Sequence, residues 1–342
     1  MGWQLFEPVA MPVRKISRRG IVALVCGVSV PWHVKAQAQS MPVVGLLGTT
    51  VVGRQSGDGL VAVRQGLAEQ GFVVGANVIL DLRGAEGHID QLPAMAADLV
   101  SRGVAVLMTG GGNEAAFAAK SATATIPIVF TVADDPTEIG LVPSLARPGG
   151  NATGVSLFGP NLAERRLQLL RELVPNATAV ASLVGAMPLS SWKQSIETAA
   201  SNLRLKVLKV ITFQVESGAD FEPVFASIAG SGARGLLVGG GRFFIRRRAQ
   251  IVALASRYRL PTIYPWQEFA ETGGLVSYGP DLYEAYTQAG RYAGRILKGA
   301  SPVDLPVQLP TKFRMVINLK TAGTLGLSFP RSLITRADKV IY

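Results

Sequence analysis

The feature that most constrains this chain is an alternation of short β-branched runs with helical patterns, played through once and then begun again. Val43–Gly48 (VVGLLG) reads as a strand and Gly57–Gln70 as a helix. Strands over 77–82, 104–109, 128–132 and 155–158 follow, with helices over 88–102 and 114–122 between them. Such βαβ alternation implies a parallel sheet covered by helices on both faces. The second pass predicts strands over 179–184, 205–211, 235–238 and 262–264, with helices over 191–202, 221–229 and 244–258. Two segments look like internal copies. Arg102-Gly103 leads through a strand to Gly110–Gly112, as Arg234-Gly235 leads to Gly239–Gly241. Ile126-Pro127 likewise resembles Leu260-Pro261. The Arg-Gly pair, the glycine triplet and the proline recur at offsets of 132, 129 and 134. Near-constant offsets across two α/β units predict two doubly wound parallel-sheet lobes of one topology.

Length agrees. At ~100–200 residues per domain, 342 residues suggest about two domains. Beyond the N-terminal region no apolar run reaches the ~18 residues that would suggest a membrane span. The N-terminus reads as an export signal over 1–38. Arg14, Lys15, Arg18 and Arg19 precede the apolar run Ile21–Val30, and Ala36-Gln37-Ala38 supplies a small-residue cleavage site. Ser17-Arg18-Arg19-Gly20-Ile21-Val22 also carries the paired arginines of a twin-arginine signal. Cys26 does not suggest a lipid anchor, because Val25 stands where a small residue should precede it.

Cleavage after Ala38 removes the single cysteine and His33, so the mature chain keeps His88 as its one histidine. That excludes an internal disulfide, a thiolate nucleophile and a Cys/His zinc site. It also excludes a Ser-His-Asp triad unless His88 is the base. Net charge falls from +11 to +7. The basic residues are scattered apart from Arg246-Arg247-Arg248, which reads as a solvated helix face, and export argues against a nucleic-acid partner.

In open parallel sheets, ligands bind outside the carboxyl ends of the strands. The loops there collect Thr49-Thr50, Gly110–Asn113, Asp134-Asp135-Pro136, Gly185–Pro188, Gly239–Arg242 and Tyr264–Glu268. The candidate binding residues are Thr49, Thr50, Gly111, Gly112, Asn113, Asp134, Asp135 and Ser156 from the first lobe, with Tyr264, Glu268 and Tyr278 from the second. The amides of Gly111–Asn113 open a helix and should receive a carboxylate or another acceptor. Asp134 or Asp135 should receive a positive or hydroxyl end, one of the pair capping the turn at Pro136. The tyrosines should cover an apolar middle. Gly110-x-Gly112-x-x-Ala115 also matches a dinucleotide fingerprint, but it follows the third strand, not the first. An exported nucleotide-cofactor oxidoreductase is therefore the second reading.

Several segments run in a familiar order: Gly66-Leu67-x-x-x-Gly71-Phe72, Arg147-Pro148-Gly149-Gly150-Asn151-x-Thr153-Gly154-Val155-Ser156, Leu169-Leu170-x-Glu172-Leu173-Val174-Pro175, and Pro310-Thr311-Lys312-Phe313. The chain resembles the tryptophan/tyrosine-type substrate-binding proteins of ABC transporters across essentially its whole mature length. The resemblance implies a type I periplasmic binding fold with three hinge crossings, no catalysis, no cofactor and no metal. Partners would be a small-molecule ligand and the ABC permease, with membrane contact through the permease only, for a periplasmic monomer. The lobes would comprise 41–157 plus about 283–310, and 158–282 plus about 311–342. The chain departs from the family in two loops, Thr49–Gly53 and Gly185–Leu189, which lack the expected polar groups and suggest a more apolar ligand.

Overall fold

The computed structural model describes residues 41–50, 59–159, 161–185, 189–203, 209–215 and 218–342. The predicted export segment, most of the loop after the first strand and residues 186–188 lie outside these.

The first sheet is built from β1 (Val43–Gly48), β2 (Ile79–Gly84), β3 (Val106–Gly110), β4 (Ile128–Val132) and β5 (Ala152–Ser156), in the order β2-β1-β3-β4-β5 with every pair parallel. Its helices are α1 (Gly59–Ala68), α2 (Leu92–Ser101) and α3 (Asn113–Ala122). The chain then crosses through α4 (Leu162–Leu173) to a second sheet. Its strands are β6 (Ala179–Val184), β7 (Lys209–Gln214), β8 (Leu236–Val238), β9 (Thr262–Tyr264) and β10 (Val276–Pro280). Between them lie α5 (Leu189–Asn202), α6 (Phe221–Gly230), α7 (Arg242–Arg246), α8 (Arg248–Arg257) and α9 (Gln267–Glu271). The order β7-β6-β8-β9-β10 repeats that of the first sheet, strand for strand.

The chain returns to the first lobe through α10 (Leu282–Leu297). Asp281 starts this helix, its carboxylate accepting from the amides of Tyr283 and Glu284 at 3.0 and 3.2 Å. Ala285, Ala289, Tyr292 and Ala293 of α10 share one apolar core with Ala62, Val63 and Leu67 of α1. Gln308 next pairs beside β5, its amide donating to Gly154 at 2.9 Å. A third passage leads to β11 (Phe313–Asn318), α11 (Leu319–Leu325), α12 (Arg331–Arg336) and β12 (Lys339–Ile341), which extend the second sheet beyond β10. The β10–β11 pair is antiparallel, an exception to the all-parallel expectation. A strand that returns from the other lobe is not bound to the βαβ crossover that forces parallel pairing.

Apolar strands buried on both faces match the near-continuous β-branched runs in the sequence. One predicted element splits. The helix expected over 244–258 is two helices, α7 and α8, broken at Arg247, whose amide bonds the carbonyls of Phe243 and Phe244 in a tightened turn. Among the described residues, no helix is long and apolar enough to cross a membrane.

Candidate functional site

The carboxyl ends of both sheets open onto one cleft of about 1000 Å³. On the first-lobe wall, Thr49 follows β1, and its hydroxyl donates to the carbonyl of Gly111 at 2.9 Å. Gly111 and Gly112 turn the chain from β3 into α3. Gly111 stands at φ +88°, a conformation that favours glycine. Asn113 begins the helix, and its Nδ2 donates to Asp134 Oδ2 at 2.5 Å. Burial pushes the Asp134 carboxyl above its ordinary value, against the Asn113 hydrogen bond, and the like charges of Glu114 and Glu138 push the same way.

Thr49, Gly111, Gly112, Asn113 and Asp134 thus share one wall. The other candidates lie elsewhere. Thr50 is buried behind the wall. Asp135 turns inward to its own loop, accepting from the amide and hydroxyl of Thr137 at 2.8 and 2.6 Å. Ser156 is fully buried and donates to the Asp134 carbonyl at 2.9 Å, a supporting contact that fixes the loop carrying the carboxylate. Tyr264 is a core residue of the second lobe, its ring stacked on Phe269 with centroids 4.9 Å apart. Tyr278 stacks on Phe313, and its carbonyl accepts from Arg166 Nε at 2.8 Å. Burial pulls the Arg166 guanidinium down to about 9, which leaves it protonated at neutral pH. Glu268 lines a neighbouring hollow of about 310 Å³, beside Arg248 and Glu271. Trp266, Leu282 and Tyr286 line both cavities and so partition them.

The second-lobe wall consists of Gly240, Gly241 and the α7 residues Phe243, Phe244 and Ile245, with Arg246 and Arg247. Gly240 and Gly241 belong to the strand-end loop Gly239–Arg242 that the sequence marks, the counterpart of Gly110–Gly112, whereas Phe243–Arg247 carry no sequence signal of a site. Trp266 belongs to the strand-end loop Tyr264–Glu268 that the sequence marks, and it is this aromatic, not Tyr264, that lines the cleft; it follows β9 as Asp134 follows β4. The lining is largely apolar, and Ile89 and Phe117 leave 47% and 38% of their surface exposed at the mouth. Within it, Asn113 Oδ1, Thr131 Oγ1 and Trp266 Nε1 are buried and make no hydrogen bond among the described residues. Since buried polar atoms are nearly always paired, these three are the groups a ligand would satisfy.

The arrangement does not suit a dinucleotide. A Cβ at Gly112 would stand 2.4 Å from Glu114 Oε2, so this carboxylate lies beside the start of α3 and sets a negative charge where a pyrophosphate would have to lie. Nor, among the described residues, is any group of three His, Cys, Asp or Glu placed to hold a metal. His88 is exposed in the loop after β2.

Two α/β lobes of matching strand order, facing each other across a ligand-sized cleft, define a type I periplasmic binding protein fold. The model of the family "ABC transporter substrate binding protein" matches residues 33–341. The chain belongs to this family. It is similar to the crystal structure of an ABC domain from Streptococcus pneumonia in complex with L-Trp, at 27% identity and a TM-score of 0.79, over 88% of this chain and 100% of that one. A conserved domain protein from Vibrio cholerae gives 26% identity and a TM-score of 0.78 over the same shares. A tyrosine-binding protein of Clostridioides difficile is 25% identical over 261 residues, 76% of this chain and 74% of the relative.

Proposed function

We propose that this chain captures a small organic solute, an aromatic amino acid or a similar amine, between its lobes and delivers it to the permease of an ABC importer. The carrying observation is the set of unpaired buried polar atoms, Asn113 Oδ1, Thr131 Oγ1 and Trp266 Nε1, in a cleft whose lining is largely apolar. Relatives that bind L-Trp and tyrosine support the aromatic reading. Asp134 receives the ligand's ammonium group, and Phe243, Phe244 and Trp266 pack on its ring. The lobes, 41–157 plus about 283–310 and 158–282 plus about 311–342, close by hinge motion because one ligand touches both walls.

Calorimetry with L-tryptophan and L-tyrosine tests this reading, after native mass spectrometry of the purified protein for any solute carried along. Asp134→Asn is expected to cost about 1.5–3 kcal/mol of binding, tenfold to over a hundredfold in affinity. Unchanged binding would remove Asp134 from the site. The pH dependence has a definite sign. Ammonium binding needs the carboxylate ionised, so affinity falls as pH drops through the raised Asp134 value, sooner than for an ordinary aspartate. The stability linkage runs oppositely: the contribution of protonated Asp134 is full below the ordinary aspartate value and is lost as pH rises through the raised one.

Export to the periplasm follows from the N-terminal signal. The mature protein is expected to begin at about Gln39, which N-terminal sequencing of exported protein checks; Met1 retained on the functional protein would overturn it.

A further inference from the structure

The three consecutive arginines at the end of α7 have three different surroundings. The Arg247 guanidinium packs on Gly218 of its own lobe, where a Cβ would stand 2.7 Å from its Cζ. Arg248 donates to the carbonyl of Ile245 at 3.0 Å. Arg246 reaches across the cleft mouth to the first lobe. A Cβ at Gly87 would stand 2.3 Å from Arg246 Nη1 and 2.9 Å from Nη2, so the guanidinium lies directly against the Gly87 backbone. Gly87 itself sits at φ +98°, beside Ile89 on the cleft lip. Arg246 makes no ion pair or hydrogen bond among the described residues, and it is exposed to solvent in the cleft.

The opposite wall has the opposite character. Asp134 and Glu114 line it, and the Glu114 carboxylate beside Gly112 offsets the attraction of the α3 N-terminus for an anion. An acid group on a ligand is repelled there and attracted to the guanidinium across the cleft. We propose that Arg246 is the receptor for the ligand's carboxylate, a specificity residue that separates amino acids from the corresponding amines. This rests on the aromatic-solute reading above. Because the ammonium sits on the first lobe and the carboxylate on the second, a zwitterionic ligand holds the two walls together, whereas an amine of the same shape engages one. A guanidinium suits the role because its planar fork can meet both carboxylate oxygens.

The test is calorimetry on the full mature chain with three probes: L-tryptophan, tryptamine without the carboxylate, and indole-3-propionate without the amine. The parent should prefer L-tryptophan to tryptamine. Arg246→Gln should weaken L-tryptophan by about tenfold to over a hundredfold and leave tryptamine unchanged, erasing the preference. Arg246→Lys should restore part of it. Asp134→Asn should weaken tryptamine and spare indole-3-propionate. If the parent binds L-tryptophan and Arg246→Gln binds it equally well, or loses both amine probes alike, the assignment is overturned alone. A parent that binds none of the three overturns the aromatic-solute reading and this assignment together.

Discussion

Tyr264→Ala is expected to cost about 3–5 kcal/mol of folding stability while leaving the affinity of the folded protein intact. Tyr264 ends the short strand β9 with 1% of its surface exposed, among Phe225, Phe244, Leu254 and Phe269. Gly274 has no side chain where a Cβ would come within 2.6 Å of the ring, so the pocket is cut to the shape of the tyrosine. Burial also pushes its phenol far above the ordinary value, so the hydroxyl stays neutral in the core. Removing the ring leaves a cavity that packed strands cannot close. Tyr264→Phe, which keeps the ring, should cost only about 1 kcal/mol. Thermal melting reads the stability and calorimetry with L-tryptophan reads the binding. A Tyr264→Ala protein that melts like the parent and loses affinity would return this residue to the cleft.

Gly66→Val should destabilise the first lobe by roughly 3 kcal/mol, the upper part of the usual overpacking range. An exposed helical glycine normally gains about 0.5–1 kcal/mol on replacement by alanine, because the unfolded chain loses freedom. At Gly66 sterics reverse that sign. A Cβ would stand 2.0 Å from the carbonyl oxygen of Thr287, 2.8 Å from the amide of Arg291 and 2.9 Å from the Cα of Gly290. Gly290 answers from the other side, where a Cβ would stand 2.4 Å from the carbonyl oxygen of Val63. All these atoms are backbone, so α1 and α10 cross in direct contact and no rotamer change can make room. The helices must separate, and α10 carries Leu282 and Tyr286 of the cleft with it. Ligand affinity should therefore fall along with the melting temperature. Gly323→Ala in α11, where a Cβ meets nothing within 4 Å, is the matching control and should be neutral or slightly stabilising. Equal melting of the Gly66 and Gly323 variants would contradict the close crossing.

Much of the site was legible because the loops at strand ends can be listed from the order of strands. The Gly110–Gly112 turn and Asp134 were found in this way, and the adjacent carboxylates divided their work as adjacent side chains do: Asp134 to the cleft, Asp135 to its own turn. Tyr264 was misplaced because it is the last residue of its strand. Alternation sends its ring to the core face, and the chain turns toward the cleft only at Trp266. The arginine triplet looked like one solvated face since helical spacing was assumed through it; the break at Arg247 sends the three guanidiniums in different directions.

By itself the sequence determined the two-lobed α/β architecture. Strand and helix periodicity, and a repeat at nearly constant offset, are local properties that persist whatever the chain packs against. It also confined the single cysteine, Cys26, to the segment before residue 41, which is a matter of composition. Only the tertiary structure decided which wall is acidic, which arginine crosses to the other lobe and which aromatic rings line the cleft. Those outcomes depend on contacts between residues as far apart in sequence as Gly87 and Arg246. There the direction of a side chain is set by packing around it, which no local pattern encodes.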